Sequence, residues 1–188
     1  MTDRKGLLPV VDKEVGILVD RETQNPHYFL RQFKRITELN PNLASCMFHF
    51  SKKDKNPNVI LYPGVVIYDL LERKSELPVV SLESIKFISG ELKSTNDYIP
   101  NLIKRLKEDN LYIANFLSRY ATRTYEPIVA AYGGALVYRV LEKQAELDCQ
   151  GTFKLKTELS AAIKEERYED AAKLRDKINL INKQLKVN

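Results

Sequence analysis

Several residue types that signal particular chemistries are scarce in this chain of 188 residues. It contains two cysteines, Cys46 and Cys149, two histidines and seven glycines. Two cysteines so far apart cannot form a disulfide framework, so we expect both to be reduced, buried thiols. With only seven glycines, a phosphate-binding glycine loop is hard to place, and the chain has no zinc-protease helix and no serine elbow.

Long apolar runs are also missing. No run approaches the roughly 18 residues that a membrane-spanning helix needs. Asp3, Arg4 and Lys5 precede only a short apolar run at 7–11, which lacks the core of a signal peptide. We therefore expect a soluble, cytoplasmic protein with no membrane partner, and the sequence predicts no cofactor.

The charge distribution does not favour nucleic acid as a partner. The formal net charge is +5, and it is not concentrated in the basic stripe that polyanion binding requires. The nearest candidates are the helical cluster of Arg31, Lys34 and Arg35 and the stretch SKKDK at 51–55. A solvated surface is the favoured interpretation of both.

The first 71 residues are expected to combine strands with a helix. The run VGILVD at 15–20 predicts a buried strand that leads into a turn. Pro26 begins a helix with apolar residues at helical spacing. The segments ASCMFHF at 44–50 and NVILYPGVVIYDLL at 58–71 are rich in β-branched and aromatic residues and predict two or three more strands.

The segment PVVSL at 78–82 has two interpretations. It either closes a small sheet, or Ser81 opens a helix together with Glu83 and Ser84. Both alternatives are compatible with the residues that follow.

From Tyr98 onward the apolar spacing is helical. Either one helix passes through Asp109 and Asn110, or that pair marks a loop between two helices. Pro127 suits the first turn of a further helix. The pair Gly133-Gly134 interrupts it at a cost of roughly 2 kcal/mol in helix propensity, which close backbone packing, a kink or a break into a strand would explain. No internal repeat is evident.

The last part of the chain predicts a helical hairpin. The stretch DCQGT at 148–152 is the best domain boundary, and Gly151 stands where a helix would end. The first helix of the hairpin has an apolar stripe, and the second has the 3, 4, 3, 4 spacing of a heptad seam. The stripe contains Leu155, Leu159, Ala162 and Ile163, and the seam contains Ala171, Leu174, Ile178, Ile181 and Leu185.

The connection EERYED between the two helices is polar apart from Tyr168. We expect Tyr168 to pack back against the turn and fix it. Glu169 and Asp170 fall in the first turn of the second helix, where acidic side chains offset its positive end.

The segment YEDAAKLRDKI resembles the UVR motif, the helical hairpin at the end of the UvrB protein and within UvrC of bacterial excision repair. The resemblance covers roughly residues 152–187. It implies an antiparallel coiled-coil hairpin that associates with a second such hairpin or with another partner surface, as in adaptors of bacterial stress kinases and of Clp proteases. It implies binding rather than catalysis. The matching residues are Leu159, Ala162, Glu166, Tyr168, Glu169, Ala171, Ala172, Leu174, Arg175, Asp176 and Ile178.

Two constellations have the residue types of a catalytic or metal site, and neither has the right spacing. Asp69 and Glu72 are too close in sequence to come from two strands of a metal-dependent nuclease, and an amphipathic helix end explains them equally well. His27, Cys46 and His49 do not form the four-ligand pattern of structural zinc. We therefore predict no catalytic residue and no metal ligand, and an enzyme is not favoured.

These patterns together predict an α+β protein. Residues 1–148 form a mixed domain with a small sheet and several helices, and residues 152–188 form the hairpin; a mostly α fold is the alternative. The predicted function is a non-catalytic adaptor that binds a protein partner or a second copy of itself, and the rival is a DNA-binding accessory or nuclease of DNA repair. The predicted partner-binding residues are Leu155, Leu159, Ile163, Tyr168, Leu174, Arg175, Ile178 and Ile181.

Overall fold

The computed structural model describes residues 7–52, 55–94, 98–122 and 127–186, with side chains for all of them except 92–94, 98–99, 121, 127–130 and 182–186. These residues form helices and no strand. The predicted α+β fold is therefore wrong, and the mostly α alternative is the one observed. The helices are α1 (Lys13–Glu22), α2 (Tyr28–Leu39), α3 (Pro41–Ser51), α4 (Pro57–Glu72), α5 (Leu82–Ser94), α6 (Tyr98–Asp109), α7 (Leu111–Ala121), α8 (Pro127–Lys164) and α9 (Tyr168–Lys186).

The segments expected to be strands are helices. Residues 15–20 lie in α1, residues 44–50 in α3 and residues 58–71 in α4. From Ile60 to Leu71 every residue of α4 except Tyr62 is buried. A helix surrounded by protein needs no polar face, so its sequence has the continuous apolar run that was interpreted as strands.

Polar side chains mark the beginnings of α1 and α5. The carboxylate of Asp12 accepts a hydrogen bond from the Val15 N–H at 3.0 Å and caps α1. The Ser81 hydroxyl accepts one from the Ser84 N–H at 3.3 Å just before α5. PVVSL therefore leads into a helix and does not close a sheet.

The second half of the chain decides between the alternatives at Asp109-Asn110 and at Gly133-Gly134, and it tests the helix end predicted at Gly151. Asn110 separates α6 from α7, so two helices are present where one was an alternative. Gly133 and Gly134 lie within α8, and a Cβ atom on Gly133 would stand 1.8 Å from the carbonyl oxygen of Ile60. Close packing against α4 thus explains the glycine pair. Gly151, where a helix end was predicted, also lies inside α8, so that prediction is wrong.

The chain divides into two compact units, residues 1–144 and 145–188, with the division inside α8. In the first unit, α4 and residues 131–141 of α8 supply much of the apolar core. The second unit contains the end of α8 and all of α9. Among the described residues, no helix has the length and apolarity required to cross a membrane.

Candidate partner-binding site in the C-terminal hairpin

A specific turn closes the hairpin. The N–H of Arg167 donates to the carbonyl of Ala162 at 2.9 Å, and the N–H of Glu166 donates to the carbonyl of Ile163 at 3.2 Å. These are the two hydrogen bonds of a Schellman motif, which requires a left-handed residue just after the helix. Glu166 occupies that position with φ 56°. The end of α8 is therefore satisfied locally, and the chain reverses into α9.

Charged side chains join the two sides of this turn. The Arg167 guanidinium donates to Glu165 and to Asp170, each at 2.9 Å. The bond to Asp170, together with that to Glu165, raises the pKa of Arg167. Because all three side chains are about half exposed or more, these pairs contribute little to stability. The backbone hydrogen bonds are therefore the main interactions that close the turn.

The left-handed residue provides a test of this turn. An L-residue other than glycine costs roughly 1–2 kcal/mol in this conformation, so Glu166→Gly is expected to stabilise the hairpin by about 1 kcal/mol. The measurement is the thermal unfolding of the full chain followed by circular dichroism. Glu165→Gly is the matched control, because that residue precedes the left-handed position, and it is expected to give no gain. A loss of stability in Glu166→Gly would contradict the turn assignment.

The buried seam of the hairpin is narrow. Ala162 and Ala171, on opposite sides of the turn, are buried together with Ile178. Alanine has a small side chain, so the two backbones can lie close together beside the turn. Four larger apolar residues of the same seam are only half-buried. They are Leu155, Leu159, Leu174 and Ile181.

The remaining predicted site residues lie at the surface. Ile163 is 53% exposed and Tyr168 is 67% exposed. Tyr168 was expected to pack back against the turn, and the structure contradicts that expectation. Arg175 is exposed and contacts Asp176 at 3.5 Å. Ile178 differs from the others because it is buried.

Two exposed apolar residues of the hairpin were not predicted. Phe153 is exposed two positions before the stripe that begins at Leu155. Leu180 is exposed nine residues after Ala171, which at 100° per residue places it on the opposite face of α9 from the seam. Both fall outside the heptad spacing, which is the reason that the pattern did not select them.

The residues considered for a nuclease pair with neighbouring side chains of the first unit. Asp69 is 2% exposed, and its carboxylate accepts hydrogen bonds from the Tyr28 hydroxyl at 2.8 Å and the Arg73 guanidinium at 3.0 Å. Burial and the nearby Asp69 carboxylate raise the pKa of Tyr28 above its usual range. Glu72 pairs with Arg35 at 3.3 Å. These contacts join α2 to α4.

The residues considered for zinc are not assembled as a site. Cys46 is buried in α3, as expected, and burial raises the pKa of its thiol to about 11. Cys149 was also expected to be buried, but it is exposed. His49 packs edge-on against Phe50, and His27 precedes α2. In the part of the chain that the structure describes, no three His, Cys, Asp or Glu residues are grouped as metal ligands.

Comparison with known proteins identifies the hairpin and nothing else in the chain. A protein-family model described as the UvrB/uvrC motif, UVR, matches residues 154–184. Comparison with curated proteins and with solved structures gave no match. The matched residues comprise the end of α8, the turn and nearly all of α9. The C-terminal hairpin of this chain is therefore a UVR motif.

Proposed function

We propose that this protein is a non-catalytic adaptor or scaffold that binds a protein partner through its UVR hairpin. The observation that carries the proposal is the incomplete burial of the hairpin's own seam. Leu155, Leu159, Leu174 and Ile181 lie at heptad positions and are only half-buried. In a complete helical bundle, residues at these positions are core.

A second helical hairpin is the partner surface that suits this seam best. Two helices alone form a single layer, which leaves both sides of an apolar seam partly open. A second pair of helices packed on one side would convert the layer into a four-helix bundle and complete the burial of these side chains. Because each of these side chains is already partly buried, completing its burial would contribute only a part of the roughly 1.5–3 kcal/mol that applies to a fully exposed one.

Exposed residues extend the proposed surface beyond the seam. Ile163 and Tyr168 lie beside the turn, and Arg175 follows one residue after Leu174. Aromatic and arginine side chains are enriched among the residues that dominate protein interfaces. We therefore place the centre of the proposed interface at the turn-proximal half of the hairpin, with Ile178 supporting it from within.

The DNA-repair alternative rests on the same motif. Asp69 and Glu72 are already engaged in pairs within the first unit, and no separate observation favours DNA as the ligand.

A double substitution tests the proposed surface. Ile163→Ser with Tyr168→Ser removes two exposed apolar side chains, so the fold should be retained while association weakens at least tenfold, because 1.4 kcal/mol corresponds to a factor of ten. The measurements are sedimentation equilibrium of the full chain for self-association and quantitative crosslinked capture with the full chain as bait.

The matched control is Leu180→Ser. Leu180 is similarly exposed but lies on the face of α9 away from the seam, so this change should leave both measurements unaltered. Equal association by the double variant and the parent chain would remove the support for this surface. A loss caused equally by Leu180→Ser would show that the contact is not specific to the seam.

A further inference from the structure

The four helices of the first half of unit 1 recur in the second half. Corresponding helices begin at Tyr28 and Tyr98, at Pro41 and Leu111, and at Pro57 and Pro127, 70 residues apart in each case. The helices α1 and α5 begin at nearly the same separation. In addition, the same four letters, LPVV, precede both of these helices, at 8–11 and at 77–80.

Burial follows the same order in the two halves. Residues 41–50 and 111–120 have identical successions of buried, half-buried and exposed positions, and so do residues 61–70 and 131–140. The equal separation of the helix starts does not by itself produce this agreement, since the burial of a residue depends on what it contacts. The two halves therefore pack in the same environment.

Two asparagine side chains form hydrogen bonds between the two halves. The Asn40 side chain donates to the carbonyl of Pro78 at 2.9 Å and accepts from the N–H of Val80 at 3.0 Å. Its counterpart Asn110 donates to the carbonyl of Pro9 at 2.9 Å and accepts from the N–H of Val11 at 3.3 Å. Each LPVV segment is thus bound by the other half.

The crossing of α4 and α8 is reciprocal as well. A Cβ atom on Gly64 would contact the side chain of Val137 and the carbonyl of Gly133, while one on Gly134 would contact Ile67 and the carbonyl of Pro63. Position 64 corresponds to 134, 67 to 137 and 63 to 133. An interface in which residue i contacts j and the counterpart of i contacts the counterpart of j is the signature of twofold association.

Two polar contacts occur at corresponding positions of the two halves, one with the same residue types and one with different residue types. Arg35 pairs with Glu72, and at the corresponding positions Arg105 pairs with Glu142. The Lys74 ammonium contacts Asp12 at 2.6 Å. At the corresponding positions the Gln144 side chain accepts the Ser81 N–H at 2.8 Å. The contact has been kept while both partners have changed.

We infer that residues 8–144 are a tandem duplication of one four-helix repeat, and that the two repeats associate as the two subunits of a twofold homodimer would. The first repeat comprises α1–α4, and the second comprises α5–α7 and the beginning of α8. Only in the second repeat does the last helix continue into a UVR hairpin. The two repeats of this chain therefore share one hairpin, whereas a homodimer of separate repeats that each ended in a hairpin would have two.

A cut between the repeats tests the inference in the full chain. A protease site inserted after Ser75 would separate the repeats, and a control with the site at 53–54 would cut within the first repeat. We expect the Ser75-cut protein to retain its helical signal and its co-elution, and to unfold at a temperature that rises with concentration, because folding is then coupled to association. The control cut is expected to lose cooperative unfolding.

The decisive measurement is made after the two fragments of the Ser75-cut protein have been denatured and refolded together. It determines which fragments are paired in the complexes that form. If the two repeats share one self-complementary interface, native mass spectrometry should detect two homodimers of fragments beside the original pair. Recovery of the original pair alone would overturn the inference, because the two faces would then not be interchangeable. Aggregation or separate monomers of both fragments would also overturn it. If residues 8–144 were instead one undivided domain, the cut after Ser75 and the cut at 53–54 would reduce the helical signal and the cooperativity of unfolding equally, which would overturn the inference too.

Discussion

Gly133→Ala is expected to destabilise the first unit by about 3 kcal/mol or more, although alanine is the better helix former by roughly 1 kcal/mol. The added Cβ would lie 1.8 Å from the carbonyl oxygen of Ile60. That oxygen belongs to the backbone of α4, so no side-chain rotation can relieve the overlap. Either α4 and α8 move apart along the core or the unit unfolds.

The measurement is chemical denaturation of the full chain followed by circular dichroism. Gly151→Ala and Gly90→Ala are matched controls, because both glycines lie inside helices and a Cβ atom on either meets nothing within 4 Å. Both controls are expected to stabilise, by about 0.5–1 kcal/mol. If Gly133→Ala were to behave like the controls, the close crossing of α4 and α8 would be incorrect.

The second large effect concerns the two asparagines that hold the LPVV segments. Asn40→Ala and Asn110→Ala should each destabilise the first unit by about 3 kcal/mol, since each removes two hydrogen bonds and leaves a backbone N–H and a carbonyl without their partner. Both asparagines are 1% exposed, so water cannot replace the lost side chain without reorganisation.

Similar losses at Asn40 and Asn110 are the result that the duplication requires. Equilibrium unfolding of the two single variants and of the double variant provides the comparison. The control is Asn115→Ala, on the exposed side of α7, which is expected to change stability by no more than about 0.5 kcal/mol. A large effect at one of the two asparagines and none at the other would contradict equivalent roles.

The contrast between α4 and the hairpin shows where sequence patterns suffice. The hairpin is partly solvated, so its heptad spacing and polar connection are visible in the sequence, and they predicted the motif that residues 154–184 match. In α4 burial on all sides removed the polar face, and β-branched residues such as Val65 and Val66 then favoured the wrong secondary structure.

The duplication was missed in the sequence for a related reason. A buried position requires a certain volume and polarity, and many residues satisfy it, so Met47 and Leu117 occupy corresponding places without sequence identity. Paired changes such as Lys74 with Asp12 and Gln144 with Ser81 conceal the repeat further. The repeated LPVV is visible in the sequence, but spatial contacts are needed to show that the other positions correspond.

By itself the sequence determined the local features of this protein: the hairpin with its heptad seam, the proline that begins α8, and the absence of a long apolar run. These depend on interactions within a few turns of helix. The tertiary structure alone decided that the core is helical, that α4 and α8 cross at paired glycines, and that each repeat binds the LPVV segment of the other. Such contacts join residues some 40 to 100 positions apart, and their free energy comes from burial and hydrogen bonds that no local pattern records.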